Sequence, residues 1–175
     1  MQIRGAADLS LQTAASNKAC KIPSTPEKVF RGGPYRDLGT QTANNIGVQR
    51  HHILAKKVIL DNPDVAAKFG IDQWNPPALT LIPADHIKTK SWGSFSYFNP
   101  YRKEQERLLR AGNINEIFQI EYDFLTSPQF EGRYDQAIQE AIDYAFDQGM
   151  ITKKPIPRAA GLEANVKDTQ NGFCV

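Results

Sequence analysis

The chain has 175 residues, of which 41% are hydrophobic and 23% are charged, and its net charge at pH 7 is +2. This length and composition are typical of one soluble globular domain that buries a core of its own without a disulfide framework. No apolar run approaches the roughly 18 residues that a membrane span needs, and no apolar segment follows Met1 as in a signal peptide. The small net charge does not by itself indicate a nucleic-acid partner.

The two ends of the chain are expected to be loosely ordered. Residues 1–30 lack sustained periodicity and predict an arm with one short helix near residues 9–15. Residues 155–175 lose their pattern again and predict a tail, which leaves 31–154 as the domain. Cys20 and Cys174 lie in these ends. Free thiols are favoured over a disulfide between them, because nothing in the sequence indicates an oxidising compartment.

A short strand is predicted where the first two histidines lie. If the chain is extended here, Val48 and Arg50 point to one face and Gln49 and His51 to the other, which allows a short strand that leads into His52. In an extended chain adjacent side chains point to opposite faces, so the two imidazoles are expected to have different roles. Upstream, residues 31–38 begin with a Gly-Gly-Pro turn and are expected to anchor a loop on the core.

A second strand and a short helix are predicted around the third histidine. Residues 78–82 form a short, mostly apolar segment, and the prolines before it fix the preceding backbone in an extended conformation. Pro83 stands at a first helical position, which places His86 in the first turn of a helix. Helical turns over residues 54–60 and a helix from about 63 to 70 are expected between the two strands.

Three further helices are predicted over residues 100–112, 113–127 and 134–149, where apolar residues follow helical spacing. No reactive residue stands out in them, so we expect these helices to be scaffold. The aromatic side chains of Trp74 and of the segment 92–98 are expected to lie in the core rather than to stack on bases.

The residue types around the histidines suit the hydrolysis of a phosphodiester bond. This reaction needs a base that deprotonates water, and groups that stabilise the negative charge of the transition state and of the leaving oxygen. A neutral histidine is a good base near pH 7, and one divalent cation can stabilise both charges. The carbonyl oxygen of a side chain such as Asn75 can orient the base or bind the ion.

The order of these groups resembles the ββα-metal superfamily of nucleases, also called HNH or endonuclease VII-like. Within it, the chain is similar to the nuclease domains of bacterial polymorphic toxins that are named for a small residue followed by His-His. The likeness covers about residues 31–105, and Arg50 stands in place of the small residue. The motifs that carry it are Gly32-Gly33-Pro34-Tyr35, His51-His52-Ile53, Phe69-Gly70-Ile71-Asp72, Asn75, Leu79-Thr80-Leu81-Ile82-Pro83 and His86.

The resemblance implies a mostly helical α+β fold, in which a ββα-metal finger of two short strands and a helix is surrounded by additional α-helices. It implies that His51 and His86 bind a divalent metal ion, that His52 is the general base, and that Asn75 holds the base or binds the ion. Many relatives have a further histidine where this chain has Lys90, which cannot bind a metal while protonated. A shell of mixed nitrogen and oxygen ligands leaves Mg²⁺, Mn²⁺ and Zn²⁺ open.

The basic residues Arg50, Lys88 and Lys90 are predicted to contact substrate phosphate. Asp85 is either a further metal ligand or a residue whose charge favours a helix N-terminus. Three alternatives to a DNA endonuclease stay open: a catalytically impaired fold that acts as a binding module, a metal-dependent hydrolase that acts on RNA or a small phosphodiester, and a structural zinc protein.

The resemblance also implies a biological setting. The chain would be the toxin domain of an antibacterial effector, secreted by a route that needs no signal peptide and active on DNA in the cytoplasm of a target cell. A cognate immunity protein would be its partner, with no membrane partner, and the oligomeric state stays open. This setting depends on family analogy alone.

Overall fold

A computed structural model of the chain describes residues 29–41, 45–93 and 100–158. These residues form a mixed α+β fold with more helix than strand. Short 3-10 turns occupy Tyr35–Asp37 and Pro128–Phe130. The main elements, in chain order, are β1 (Gly32–Pro34), β2 (Gln49–His52), α1 (Lys56–Asp61), α2 (Pro63–Ala67), β3 (Pro77–Leu81), α3 (Pro83–His86), α4 (Pro100–Arg110), α5 (Ile114–Leu125) and α6 (Asp135–Asp147).

The three strands form one antiparallel sheet with β3 in the centre. On one side of β3, β2 pairs in a register that sets His51 opposite Leu79 and His52 opposite Ala78. Every residue of β3 is buried, as expected of a central strand that is covered on both faces. The sheet leads directly into α3, because Pro83 follows β3 after one residue and occupies the first helical turn.

The strand β1 was not predicted, because its Gly-Gly-Pro sequence favours a turn. It pairs with the other side of β3, with Gly32 opposite Leu79. A Cβ atom at Gly32 would overlap the carbonyl oxygen of Ala137 in α6, so the glycine allows the helix to pack directly on the strand. The side chain of Glu140 in α6 also accepts a hydrogen bond from the Gly32 amide at 2.8 Å. Tertiary packing therefore determines this strand.

The helices predicted within the described residues are present, with ends shifted by a few residues. The predicted helix over 54–60 begins at Lys56, and the next one begins at Pro63 as expected. Both α4 and α6 end shortly before a glycine with positive φ. Gly112 has φ of 78° and Gly149 has φ of 69°, a conformation that glycine adopts without strain. These local signals are the reason that the helices could be located from sequence.

One hydrophobic core lies between the sheet and the helices. The helix α6 packs on β1 and β3, and α4 packs on α1 and α5. The core includes Val29 and Phe30, so the buried chain begins before the predicted start of the domain at residue 31. Its largest fully buried side chains are Tyr134, Phe30, Phe118, Phe130, Ile53, Leu54, Ile71, Leu79, Leu81, Leu109, Ile117 and Leu125.

Two expected core residues lie on the surface. The side chains of Trp74 and Trp92 are 61% and 49% exposed, so the prediction that they are buried was wrong. Each is carried by a loop rather than by the apolar face of a helix or strand, and aromatic character alone does not reveal that difference. The other aromatic residues of the segment, Phe95, Tyr97 and Phe98, lie outside the described residues.

After α6, the chain remains in contact with the domain up to residue 158, the last one described. The side chain of Gln119 in α5 accepts from the Ile156 amide at 3.1 Å and donates to the Ile156 carbonyl at 2.7 Å. The guanidinium of Arg158 pairs with Glu116 at 2.9 Å. The predicted helix near residues 9–15 and both cysteines fall outside the described residues. None of the helices in 29–41, 45–93 and 100–158 has the length and apolar character to cross a bilayer.

Candidate active site

His51 lies on the face of β2 that meets α4 and α5. Its side chain is 1% exposed, and its Nε2 lies 3.1 Å from Oε2 of Glu121, whose side chain is 2% exposed. The other carboxylate oxygen of Glu121 accepts hydrogen bonds from the Tyr101 hydroxyl and, at 3.5 Å, from Nε2 of Gln105. A buried carboxylate that two other side chains hold in place therefore fixes this imidazole.

His86 is the last residue of α3, and its ring lies against the ring of His51. The two ring centres are 5.4 Å apart, and the rings meet edge to face at 79°. Nδ1 of His86 lies 2.6 Å from Oε1 of Gln49, which shares a face of β2 with His51 because two positions separate them. Burial, together with the proximity of His51, lowers the pKa of His86 to about 4, so its ring is neutral at pH 7.

His52 points to the opposite face of β2 and stacks on Tyr35. The ring centres are 4.1 Å apart and the planes differ by 24°. Nε2 of His52 is buried and has no hydrogen-bond partner among the described residues. Burial is the largest cause that lowers the pKa of His52 to about 3. The nearby His51 and other basic groups, His86 among them, lower it further. His52 is therefore neutral at pH 7.

Two of the basic residues predicted to contact phosphate have aromatic partners. The guanidinium of Arg50 lies 4.1 Å from the ring centre of Tyr35, and its Nη1 donates to the Tyr35 carbonyl at 3.4 Å. This cation is therefore held beside the ring on which His52 stacks. The ammonium of Lys90 lies 5.6 Å from the ring centre of Phe124.

Asp85 connects α3 to the C-terminal part of the domain. The carboxylate is buried and accepts hydrogen bonds from the Arg133 guanidinium and, at 2.8 Å, from the Tyr134 hydroxyl. Its other oxygen pairs with the half-exposed Lys88 at 2.8 Å. Both oxygens are therefore engaged, and the side chain anchors the short helix that carries His86. Lys88, the third predicted phosphate contact, is also paired.

Asn75 lies in the loop before β3, and its side chain closes that loop. Its Oδ1 accepts from the Asp72 amide at 2.8 Å, and its Nδ2 donates to the Gly70 carbonyl at 2.9 Å. The Asn75 carbonyl also accepts from the Tyr144 hydroxyl at 3.0 Å. Both polar atoms of the side chain thus bond to the backbone of the loop rather than to a histidine, and the residue fixes the entry into β3.

The donor set fits a cation held by two imidazole nitrogens. One nitrogen of each ring contacts an acceptor oxygen, of Glu121 for His51 and of Gln49 for His86, as is usual for histidines that bind metals. The opposite atoms, Nδ1 of His51 and Nε2 of His86, would then be the ligand atoms. Two imidazoles on one zinc-sized ion have ring centres about 5 Å apart, close to the spacing of this pair.

In residues 29–41, 45–93 and 100–158, no three His, Cys, Asp or Glu side chains gather closely enough to hold a metal ion. Among the described residues, an ion at His51 and His86 would therefore have no third ligand of these four types close by. Two protein ligands are fewer than the four of a structural zinc site.

Comparison with protein-family models, with curated proteins and with solved structures finds no match for this chain. The geometry of the three histidines and the short motifs around them are therefore what indicates a function for this chain.

Glu121 and Gln49 were missed as functional candidates, and so were Tyr101 and Gln105. The C-terminal helices were expected to be scaffold, and in the structure α5 supplies the carboxylate that holds His51. A signal was present in the sequence. Glu121 lies on the apolar stripe of α5 with Ile117, Phe118 and Leu125, and a charged residue at such a position must be buried with a partner.

Proposed function

We propose that this protein is a metal-dependent endonuclease that hydrolyses the phosphodiester bonds of DNA where β2 meets α3. The observation that carries the proposal is the pair of His51 and His86. Their ring centres are 5.4 Å apart, and one nitrogen of each ring contacts an acceptor oxygen. The succession of β2, a loop with Asn75, β3 and α3 gives further support, since it is the order that the ββα-metal resemblance implies.

His51 and His86 would hold the ion. A bound divalent cation supplies a Lewis acid for the phosphoryl and leaving oxygens and lowers the pKa of coordinated water. Imidazole nitrogens suit Zn²⁺ and similar transition metals, whereas Mg²⁺ prefers oxygen ligands in octahedral geometry. Of the three ions that the sequence leaves open, Zn²⁺ fits two histidine ligands best.

His52 is the proposed general base. It is neutral at pH 7 because burial lowers its pKa to about 3, so it has a lone pair that can accept a proton from water. A phosphate anion placed beside the ring favours the imidazolium form and thus makes His52 a stronger base when substrate is bound. Arg50, held over Tyr35, supplies a positive charge near this position for the phosphate.

A plasmid-nicking assay tests the proposal. Chelator-treated protein is mixed with supercoiled DNA and with Zn²⁺, Mn²⁺ or Mg²⁺ in turn. We expect nicking that Zn²⁺ restores and EDTA abolishes. His52→Ala and His86→Ala should each lower the rate at least about 100-fold. Lys57→Ala, which removes an exposed ion pair with Asp61, is the matched control and should cut like the wild type. Absence of cutting, or cutting that EDTA leaves unchanged, contradicts the proposal.

A second candidate is metal-independent cleavage of RNA. The observation that favours it is the lack of a third ligating side chain near His51 and His86 in the described residues. On RNA, one neutral imidazole can take the proton of the 2′-hydroxyl, which is the nucleophile, and a second imidazole, protonated when the phosphate anion is bound, can give its proton to the leaving 5′-oxygen. Digestion of matched duplex DNA, single-stranded DNA and RNA, each with and without EDTA, separates the two: EDTA-resistant cutting confined to RNA favours this candidate.

For the biological setting we propose an antibacterial toxin domain that acts in the cytoplasm of a target cell and has a cognate immunity protein. The resemblance to polymorphic-toxin nucleases supports this setting. Inducible expression in a bacterial cytoplasm tests it. The wild-type chain should arrest growth and degrade DNA, and His52→Ala should do neither.

A further inference from the structure

Glu121 is a carboxylate buried in the apolar face of α5. It lies on the same stripe as Ile117, Phe118 and Leu125 and is 2% exposed. Removing a carboxylate from water is costly unless hydrogen bonds replace its hydration. The donors around Glu121 therefore determine what this position can do.

Two backbone groups fix the direction of the hydrogen bonds that reach Glu121. Oε1 of Gln105 accepts from the Ala55 amide at 3.0 Å, and Nε2 donates to the Ile53 carbonyl at 2.8 Å. A backbone N–H only donates and a carbonyl only accepts, so the orientation of the Gln105 side-chain amide is determined. Its Nε2 is consequently a donor toward the Tyr101 hydroxyl at 3.3 Å and toward Glu121 at 3.5 Å.

The orientation of Gln105 also determines the hydrogen bonds that Tyr101 and His51 make with Glu121. The Tyr101 hydroxyl accepts from the Gln105 amide, so its own proton goes to Oε1 of Glu121. Both donors go to Oε1, and a carboxylate group only accepts hydrogen bonds. Its Oε2 lies 3.1 Å from Nε2 of His51, so Nε2 of His51 has the proton. In the neutral ring, the lone pair is then on Nδ1.

We propose that Glu121 is a positioning residue that sets the tautomer of His51 and so selects Nδ1 as the atom that binds the cation. Tyr101 and Gln105 keep the carboxylate in place. The relevance to a cation rests on the proposed function, whereas the tautomer follows from the hydrogen bonds alone. The two ligands are then asymmetric, because His86 has its Nδ1 bonded to Gln49 and binds through Nε2.

The first test is the ¹⁵N NMR spectrum of the histidine rings in metal-free protein at pH 7.5, assigned with His52→Ala and His86→Ala. We expect His51 to have a protonated Nε2 and an unprotonated Nδ1. In Glu121→Gln the new amide can donate to Nε2, so the proton should move to Nδ1. A wild-type His51 that is protonated on Nδ1, or a tautomer unchanged in Glu121→Gln, overturns the proposal.

The second test is Zn²⁺ affinity, measured by competition with a chromogenic chelator. Glu121→Gln should bind Zn²⁺ about 10–100-fold more weakly than the wild type, because it loses the partner that orients a ligand. The control on the same helix is Glu116→Gln, whose carboxylate is exposed and pairs with Arg158, and it should bind within about twofold of the wild type. Equal affinities of the two variants overturn the proposal.

Further outcomes keep the two proposals separate. If Glu121→Gln does not fold, Tyr101→Phe is the second variant, because it keeps the carboxylate and removes one donor. It should weaken Zn²⁺ binding by a smaller factor. Unchanged binding counts against the proposal. If the wild type takes up no Zn²⁺, the metal-dependent function fails, and with it the assignment of Nδ1 as a ligand. The ring spectrum of the wild type then decides the tautomer by itself.

Discussion

Replacing Asp85 by asparagine should destabilise the protein, because it removes the negative charge that anchors α3. Asp85 is 3% exposed and pairs with Arg133, whose side chain is 10% exposed, so the variant leaves a buried guanidinium without its main partner. Loss of one member of a buried ion pair costs about 3–5 kcal/mol. The half-exposed Lys88 adds little to that cost, and the asparagine oxygen can still accept from Tyr134. We therefore expect about 3 kcal/mol.

Urea denaturation at pH 7, followed by circular dichroism, measures the change in the free energy of unfolding. The matched control is Asp143→Asn on α6, which removes an exposed aspartate that pairs with Lys154 at 2.7 Å. Exposed pairs contribute about 0–1 kcal/mol, so the control should remain near the wild type. A loss below about 1 kcal/mol for Asp85→Asn would refute the claim that this carboxylate anchors the helix of His86.

The same pair predicts how stability depends on pH. Burial alone would raise the pKa of Asp85, but hydrogen bonds from Lys88 and Tyr134 and the charges of Lys88 and Arg133 hold it below its usual value. The carboxylate thus contributes stability at pH values above its unfolded pKa of about 3.9, and this contribution is lost as the pH falls through the lower folded value. The difference between wild type and Asp85→Asn should shrink below about pH 4. A difference that stays constant from pH 7 to pH 3 contradicts the linkage.

Three more substitutions test separate parts of the account. His52→Ala should remain folded and bind Zn²⁺ like the wild type but fail to nick DNA; a loss of Zn²⁺ binding in calorimetry would instead make this residue a ligand. Asn75→Ala should lower the free energy of unfolding by about 1–3 kcal/mol, through two lost hydrogen bonds, with Zn²⁺ affinity unchanged. Gly32→Ala should lower the melting temperature by several degrees, since its Cβ would overlap α6, whereas Gly47→Ala, with open space around it, should not.

The elements around the histidines were predictable because their signals are local. Pro83 fixes the start of α3, and the short extended run before it becomes β3. The opposite orientation of His51 and His52 follows from the geometry of any strand. In the structure, His51 meets α5 and His52 stacks on Tyr35, so this prediction is confirmed.

The parts that were missed depend on contacts between distant residues. Glu121 is 70 positions away from His51, and no local rule relates a helix to a particular strand. The strand β1 exists because Gly32 lets α6 approach closely, which the sequence of β1 alone does not reveal. Asn75 was expected from the motif to hold the base or to bind the ion, and in the structure its side chain bonds to the backbone of Asp72 and Gly70.

The central claim is that His51 and His86 together hold one divalent cation. Calorimetric titration of chelator-treated protein with Zn²⁺ tests it most directly. We expect one equivalent to bind to the wild type, and His86→Ala to bind at least about tenfold more weakly while it remains folded. A wild-type chain that takes up no Zn²⁺, or a His86→Ala variant that binds it equally well, would contradict the claim.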